Sequence, residues 1–81
     1  MDREAIRSRI QVILRDIVDN DSVKITDDTV AEDVDDWHST NHVRLMVALE
    51  DEFHIRFETD EFSDPKTVGE LVDLIQSKLA A

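Results

Sequence analysis

The sequence predicts an all-α fold: a small four-helix bundle with three main helices, one short third helix and a long first loop. Three stretches carry apolar residues at the spacing that places them on one face of a helix. The one short alternating run, residues 54–57, has no second strand to pair with, so we interpret it as a connector. At 81 residues, the chain is expected to form a single domain over 1–81.

The first helix is predicted over residues 2–19, with Asp2 as its N-cap. Its apolar positions recur at helical spacing: Ile6, Ile10, Ile13, Leu14, Ile17 and Val18. Residues 20–38 form a long connection without a regular period, and we expect its scattered apolar residues to attach it to the helices. An EF-hand calcium loop is excluded, because a loop that begins at Asp19 places Lys24 where the motif requires glycine.

The second helix is predicted over residues 39–53, with Ser39 or Thr40 as its N-cap. Its buried face is expected to contain Val43, Leu45, Met46, Leu49 and Phe53. A single capped helical turn is predicted over 59–63. The chain then breaks at a proline, and a last helix follows.

The last helix is predicted to begin at a capping box formed by Thr67 and Glu70 and to run to about Leu79. Its buried face is expected to contain Val68, Leu71, Val72, Ile75 and Leu79. Gly69 lies in its first turn, where a glycine lowers helix stability, and we expect it to permit a close approach between helices.

The acidic charge and the absence of cysteine limit the kinds of partner and chemistry that the chain can have. Twenty acidic residues against nine basic residues give a formal net charge of −11, which argues against binding to nucleic acid or to an anionic membrane. The charge favours partners with basic patches. The chain contains no cysteine, so thioester chemistry would need a sulfur from an attached group. No apolar run has the length of a membrane span and no signal-peptide pattern is present, so we expect a cytoplasmic protein.

Ser39 is the leading candidate for a functional residue. It lies where a polar loop meets the apolar pattern of the second helix. The free N–H groups and the dipole at a helix N-terminus favour an anion, so a hydroxyl there is suited to carry a phosphodiester. The alternative is a serine that only caps the helix. The helix pattern alone does not decide between these two interpretations.

The other candidates near Ser39 favour structural interpretations. His38 and His42 are four residues apart, but Ser39 stands where a zinc-protease motif has its glutamate, so we interpret them as partly exposed residues and predict no metal. Ser39 and His38 do not form a catalytic dyad, because neighbours at a helix start seldom face each other. Trp37 is interpreted as an anchor of the loop, with partner docking as the alternative.

The stretch from Ser39 through Val43–Phe53 resembles the prosthetic-group serine and second helix of acyl carrier proteins. The resemblance extends over nearly the whole chain and implies that Ser39 receives 4'-phosphopantetheine from coenzyme A. It implies a carrier, not an enzyme, that holds acyl groups as thioesters in fatty-acid, polyketide or specialised biosynthesis. The implied partners are a phosphopantetheinyl transferase and acyl-loading or acyl-transfer enzymes with basic patches, and the protein is expected to be a monomer.

The resemblance also implies two sets of contact residues. The expected partner-binding residues are Trp37, His38, Thr40, Arg44, Glu50, Asp51, Glu52, Asp60 and Glu61. For the acidic residues of this set, the alternative is a solvated face without a partner. The expected acyl pocket consists of Leu45, Met46, Leu49, Phe53, Ile55 and Val68. Three positions depart from the family pattern, because His38 replaces aspartate, Thr40 replaces an apolar residue and Arg44 replaces glutamate. These departures favour a specialised pathway, and the alternative is an unmodified interaction module that docks basic partners.

Overall fold

The computed structural model describes residues 2–58, 60–61 and 63–80. Helix α1 spans Arg3–Ile17, α2 spans Ser39–Phe53 and α3 spans Val68–Ala80. A short 3-10 helix, Ala31–Asp33, lies in the long loop before α2. The three main helices are confirmed. The described residues contain no strand, so the connector interpretation of residues 54–57 holds.

The core forms where α1 packs against both α2 and α3. The most deeply buried side chains come from all three helices: Ile6, Ile10, Leu14, Leu45, Leu49, Val68, Val72 and Ile75. The long loop adds Val23, Ile25, Val34 and Trp37 to this cluster. The long loop is therefore part of the core, as its scattered apolar residues predict.

Three details of the predicted helices are wrong. Val43 is 54% exposed, because it lies about 200° around α2 from the buried Leu45. Leu79 is 36% exposed, because it lies in the last turn of α3, beyond the last buried residue of that helix. Helix α1 ends before residue 19, because Asp19 has a left-handed backbone with φ of 54° that terminates the helix.

The predicted caps of α1 and α3 are confirmed. The Asp2 carboxylate accepts a hydrogen bond from the N–H of Ala5 at 2.8 Å. Thr67 Oγ1 accepts from the N–H of Glu70 at 3.2 Å, and the Glu70 carboxylate accepts from the N–H of Thr67 at 3.1 Å. These bonds satisfy N–H groups that have no partner within the helix.

The helical turn predicted over 59–63 includes Thr59 and Phe62, which lie outside the described residues. Hydrogen-bonded turns occur in the described part of this segment, since the N–H of Glu61 donates to the Glu58 carbonyl at 3.1 Å. None of the helices in the described residues has the length and apolar content that crossing a membrane requires.

Asp27 fixes the long loop to both α1 and α3. Its carboxylate accepts hydrogen bonds from Arg3 and Arg7 of α1, each at 3.0 Å. Its carbonyl oxygen accepts from the N–H of Gly69 in α3 at 2.9 Å. The hydrogen bonds from Arg3 and then Arg7 stabilise the carboxylate and lower the pKa of Asp27. Asp27 therefore holds the middle of the long loop against both helices.

Candidate functional site

Ser39 is the first residue of α2, and its side chain is exposed. The prediction that Ser39 or Thr40 caps α2 is wrong. The helix begins one residue earlier than a Ser39 cap requires, so His38 occupies the N-cap position, and its side chain makes no capping hydrogen bond. The Ser39 side chain makes no hydrogen bond with another described residue. The hydroxyl is therefore free for chemistry that the helix itself does not need.

The start of α2 is suited to an anion on Ser39. The first N–H groups of a helix have no intrahelical acceptor, and the helix dipole is positive at this end. The first turn of α2 contains no acidic residue, so no carboxylate of that turn repels a bound anion. A phosphate ester on the Ser39 hydroxyl would lie in this favourable field.

Trp37 anchors the end of the loop in the core, as predicted. Its side chain is 8% exposed. The indole Nε1–H donates a hydrogen bond to Nδ1 of His42 at 3.1 Å, and the two ring centroids are 6.0 Å apart. Little of the Trp37 surface is therefore accessible to a partner protein.

The histidines at the start of α2 have different surroundings. His38 is exposed before the helix, whereas His42 is half-buried and contacts Trp37. In the part of the chain that the structure describes, no three side chains of the metal-ligating types are grouped so as to hold an ion. His42 therefore contacts the indole of Trp37, and His38 remains exposed.

An open groove of about 470 Å³ lies beside Ser39. Its walls come from the 3-10 helix, the loop before α2 and the segment before α3: Val30, Ala31, Glu32, Trp37, His38, Ser39, His42, Pro65 and Lys66. Apolar side chains form part of the walls, Lys66 supplies a positive charge and Glu32 a negative one. A flexible group attached to Ser39 would have a surface to lie along without being enclosed.

The six residues predicted to form an acyl pocket meet in one cluster. Leu45 and Leu49 have no exposed surface, Val68 is 1% exposed and Phe53 is 7% exposed. Met46 and Ile55 are partly buried against this core. The cluster is close-packed, so an acyl chain would enter it only as these side chains moved apart.

Two of the predicted partner-binding carboxylates are engaged within the molecule. Glu50 accepts a hydrogen bond from the N–H of Phe57 at 2.9 Å. Glu61 pairs with Lys78 at 2.7 Å, and this hydrogen bond lowers the pKa of Glu61. Both side chains therefore stabilise the chain after α2, a role that sequence reasoning missed because their partners lie elsewhere in the chain.

The other predicted contact residues are exposed. Apart from Trp37, they are His38, Thr40, Arg44, Asp51, Glu52 and Asp60. Glu52 lies 3.9 Å from Arg9, a long contact for an ion pair. Sequence reasoning missed the exposed Val47, which is 56% exposed. Its position two residues after the buried Leu45, on the far side of the helix, is the signal that identifies it.

Known proteins resemble this chain over nearly its whole length. No family model matches it. An acyl carrier protein of Thermosynechococcus vestitus is 32% identical over 82 residues, which cover 100% of both chains. A solution NMR structure of a holo acyl carrier protein from Geobacter metallireducens has a TM-score of 0.84 and 39% identity, covering 93% of this chain and 86% of that chain.

Proposed function

Because the chain belongs to the acyl carrier protein family, we propose that it holds acyl or related groups as thioesters on a 4'-phosphopantetheine arm attached to Ser39. It acts as a carrier and not as an enzyme. The similar solution structure is that of a holo acyl carrier protein, which supports a covalent arm in this chain too.

The exposed hydroxyl of Ser39 carries this proposal. A serine at a helix start most often caps the helix, but here the N-cap is His38 and the Ser39 side chain is not used for capping. The free N–H groups at the start of α2 stabilise a phosphate at this position. Ser39 is therefore better explained as an attachment site than as a structural serine.

The residues around Ser39 fit a 4'-phosphopantetheine group. The chain has no cysteine, and the arm supplies the thiol on which acyl groups form thioesters. The groove beside Ser39 offers Val30 and Pro65 as apolar surface and Lys66 as a cation near its wall. The core cluster around Leu45 and Leu49 is the proposed shelter for an acyl chain.

The finer predictions extend this proposal. Residues 1–81 form one acyl-carrier-like domain, and the segment around Asp60 corresponds to the short third helix of the bundle. The exposed carboxylates Asp51, Glu52 and Asp60 support docking to basic patches of a phosphopantetheinyl transferase and of acyl-transfer enzymes. His38 and Thr40 flank Ser39, so we expect a transferase that accepts both and a specialised pathway. A cytoplasmic monomer remains the expectation.

The second candidate is an unmodified interaction module. The exposure of Asp51 and Glu52, together with the departures at His38 and Thr40, favours it. Such a module would retain function when Ser39 is replaced and would lose function when these carboxylates are reversed in charge.

Intact-mass spectrometry after incubation with coenzyme A and a broad-specificity phosphopantetheinyl transferase tests the proposal. We expect a single pantetheinyl adduct on the unmodified chain and none on Ser39→Ala, with unchanged circular dichroism. Ser77→Ala, at an exposed serine of α3, is the matched control and should be loaded normally. No adduct on the unmodified chain, or an adduct on Ser39→Ala, would overturn the attachment site.

A further inference from the structure

Two hydrogen bonds connect residues on either side of Ser39. The indole Nε1–H of Trp37 donates to Nδ1 of His42 at 3.1 Å. The backbone N–H of His42 donates to the carbonyl oxygen of His38 at 2.8 Å. His42 therefore holds the residue two before Ser39 through its side chain and the residue immediately before Ser39 through its backbone.

A third hydrogen bond connects the end of the long loop to the start of α2. Asp36 has a left-handed backbone with φ of 68°, a conformation that aspartate and asparagine adopt more readily than other residues apart from glycine. Its carbonyl oxygen accepts a hydrogen bond from Nδ2 of Asn41 at 2.7 Å. The left-handed turn before α2 is thus held by a side chain from the first turn of the helix.

On this basis we propose that His42 is a positioning residue for Ser39. Its neutral imidazole holds Trp37, and through Trp37 the loop, in the arrangement that presents the Ser39 hydroxyl. Protonation of the imidazole releases the indole and loosens this arrangement. The inference rests on the proposed attachment at Ser39, although the Trp37–His42 pair itself is testable without it.

The chemistry of the pair determines the protonation state. An indole N–H only donates, so the imidazole nitrogen that it contacts must be unprotonated. In an imidazolium both ring nitrogens carry protons, and neither accepts. Histidine is the side chain that ordinarily changes charge between about pH 5 and pH 8. The Trp37–His42 hydrogen bond therefore requires a neutral His42 and is lost when that imidazole is protonated.

The pair lies where the long loop, α2 and the segment before α3 meet. Trp37 and His42 line a small cavity of about 40 Å³ together with Thr29, Ala31, Pro65, Lys66, Thr67 and Leu71. In the adjoining groove beside Ser39, the charged or titratable residues near His42 are Glu32, His38 and Lys66. Loss of the Trp37–His42 hydrogen bond would therefore loosen the packing between the long loop, α2 and the segment before α3.

The first experiment follows Trp37 in the apo protein. Trp37 is the only tryptophan and the chain has no tyrosine, so intrinsic fluorescence and the indole N–H resonance report this side chain alone. We expect both signals to change in a single transition when the His42 imidazole gains a proton. His42→Gln keeps a carbonyl acceptor and should abolish the transition while retaining a hydrogen-bonded indole.

The other two histidines provide the controls for this titration. His38→Gln and His54→Asn should both keep the transition; asparagine suits His54, whose backbone is left-handed. A transition that survives His42→Gln, or fluorescence and an indole resonance that do not change with pH, would overturn the inference.

The second experiment measures kcat/KM for loading by the transferase at one pH above the Trp37 transition, where His42 is neutral. His42→Leu, which lacks an acceptor, should lower kcat/KM roughly threefold to tenfold, and His42→Gln should restore most of the loss. Trp37→Phe removes the donor and should match His42→Leu. Circular dichroism establishes that each variant is folded.

The outcomes separate the inference from the proposed function. If the unmodified chain is not loaded on Ser39, the proposed function fails, and the pH titration of Trp37 still tests the pair. If the unmodified chain is loaded and both His42→Leu and Trp37→Phe are loaded at its rate, positioning by His42 is overturned.

Discussion

The N–H of Gly69 donates a 2.9 Å hydrogen bond to the carbonyl oxygen of Asp27 and so joins the start of α3 to the long loop. A Cβ atom added at Gly69 would lie 3.0 Å from that oxygen and 3.0 Å from the Cβ of Asp27. Arg3 and Arg7 hold the Asp27 carboxylate, so the loop has little freedom to move away. Gly69 thus permits a close approach, as predicted, but the element that approaches is a loop and not a helix.

Gly69→Ala should therefore lower the free energy of unfolding. Alanine gains about 1 kcal/mol in helix propensity, but the tight contact with the Asp27 backbone costs more, and we expect a net loss of about 1 kcal/mol. Urea unfolding measures the difference. Ser77→Ala, at an exposed position of α3, should change stability by less than about 0.5 kcal/mol. A Gly69→Ala variant more stable than the parent would show that the loop yields easily.

Asp27 should make stability depend on pH in the acid range. Hydrogen bonds from Arg3 and Arg7 lower its folded pKa from the ordinary value of 3.8. A carboxyl with a depressed folded pKa contributes stability that is fully present above its unfolded pKa and is lost as the pH falls through the folded value. The stability difference between the parent and Asp27→Asn should therefore shrink below about pH 4.

Urea unfolding of both proteins from about pH 7 to pH 3 checks this expectation. Asp28→Asn removes a charge from an exposed neighbour that has no arginine partner among the described residues, and it controls for the loss of one carboxylate. If the difference between the parent and Asp27→Asn stayed constant across this range, the arginine contacts would not stabilise the Asp27 carboxylate.

Replacing Glu50 should lower the free energy of unfolding more than replacing its neighbour Asp51. Glu50→Ala removes the acceptor of the Phe57 N–H and should cost roughly 1 kcal/mol of stability. Asp51 is exposed, and Asp51→Ala should change stability by less than about 0.5 kcal/mol. Urea unfolding of the two variants distinguishes an internal carboxylate from a surface one. Equal losses would argue against the structural role of Glu50.

Charge reversal at Asp51 and Glu52 should slow loading by a transferase with a basic patch. Both carboxylates are exposed on α2, and attraction between opposite charges accelerates encounter most strongly at low salt. The double variant Asp51→Lys/Glu52→Lys should therefore show a lower kcat/KM, with the deficit shrinking as salt is added. Asp28→Lys/Asp64→Lys makes the same change in net charge on exposed loop residues. An equal deficit in both would indicate net charge and not a docking surface.

The helices are predictable from the sequence because their signals are local. The bounds of α2, Ser39–Phe53, agree with the prediction, since the apolar period of α2 begins and ends in polar segments. The capping box of Thr67 and Glu70 is equally local. Burial at positions such as Leu79 is less predictable, because it depends on where neighbouring elements end.

The contacts that build the site are harder to predict, because they depend on the backbone path. Asp27 meets Arg3 and Arg7 across 24 and 20 residues of sequence. The Trp37–His42 contact spans only five residues, but the residue directly before Trp37, Asp36, has a left-handed backbone. A sequence pattern alone does not indicate that an aspartate adopts this conformation.

Intact-mass analysis of the protein isolated from its native cell tests the central claim most directly. Peptide mapping then locates any added group. We predict a 4'-phosphopantetheine adduct on the peptide that contains Ser39, with further mass on part of the population where an acyl group is bound to the thiol. A folded protein that carries no adduct on Ser39 would contradict the carrier function and favour the unmodified interaction module.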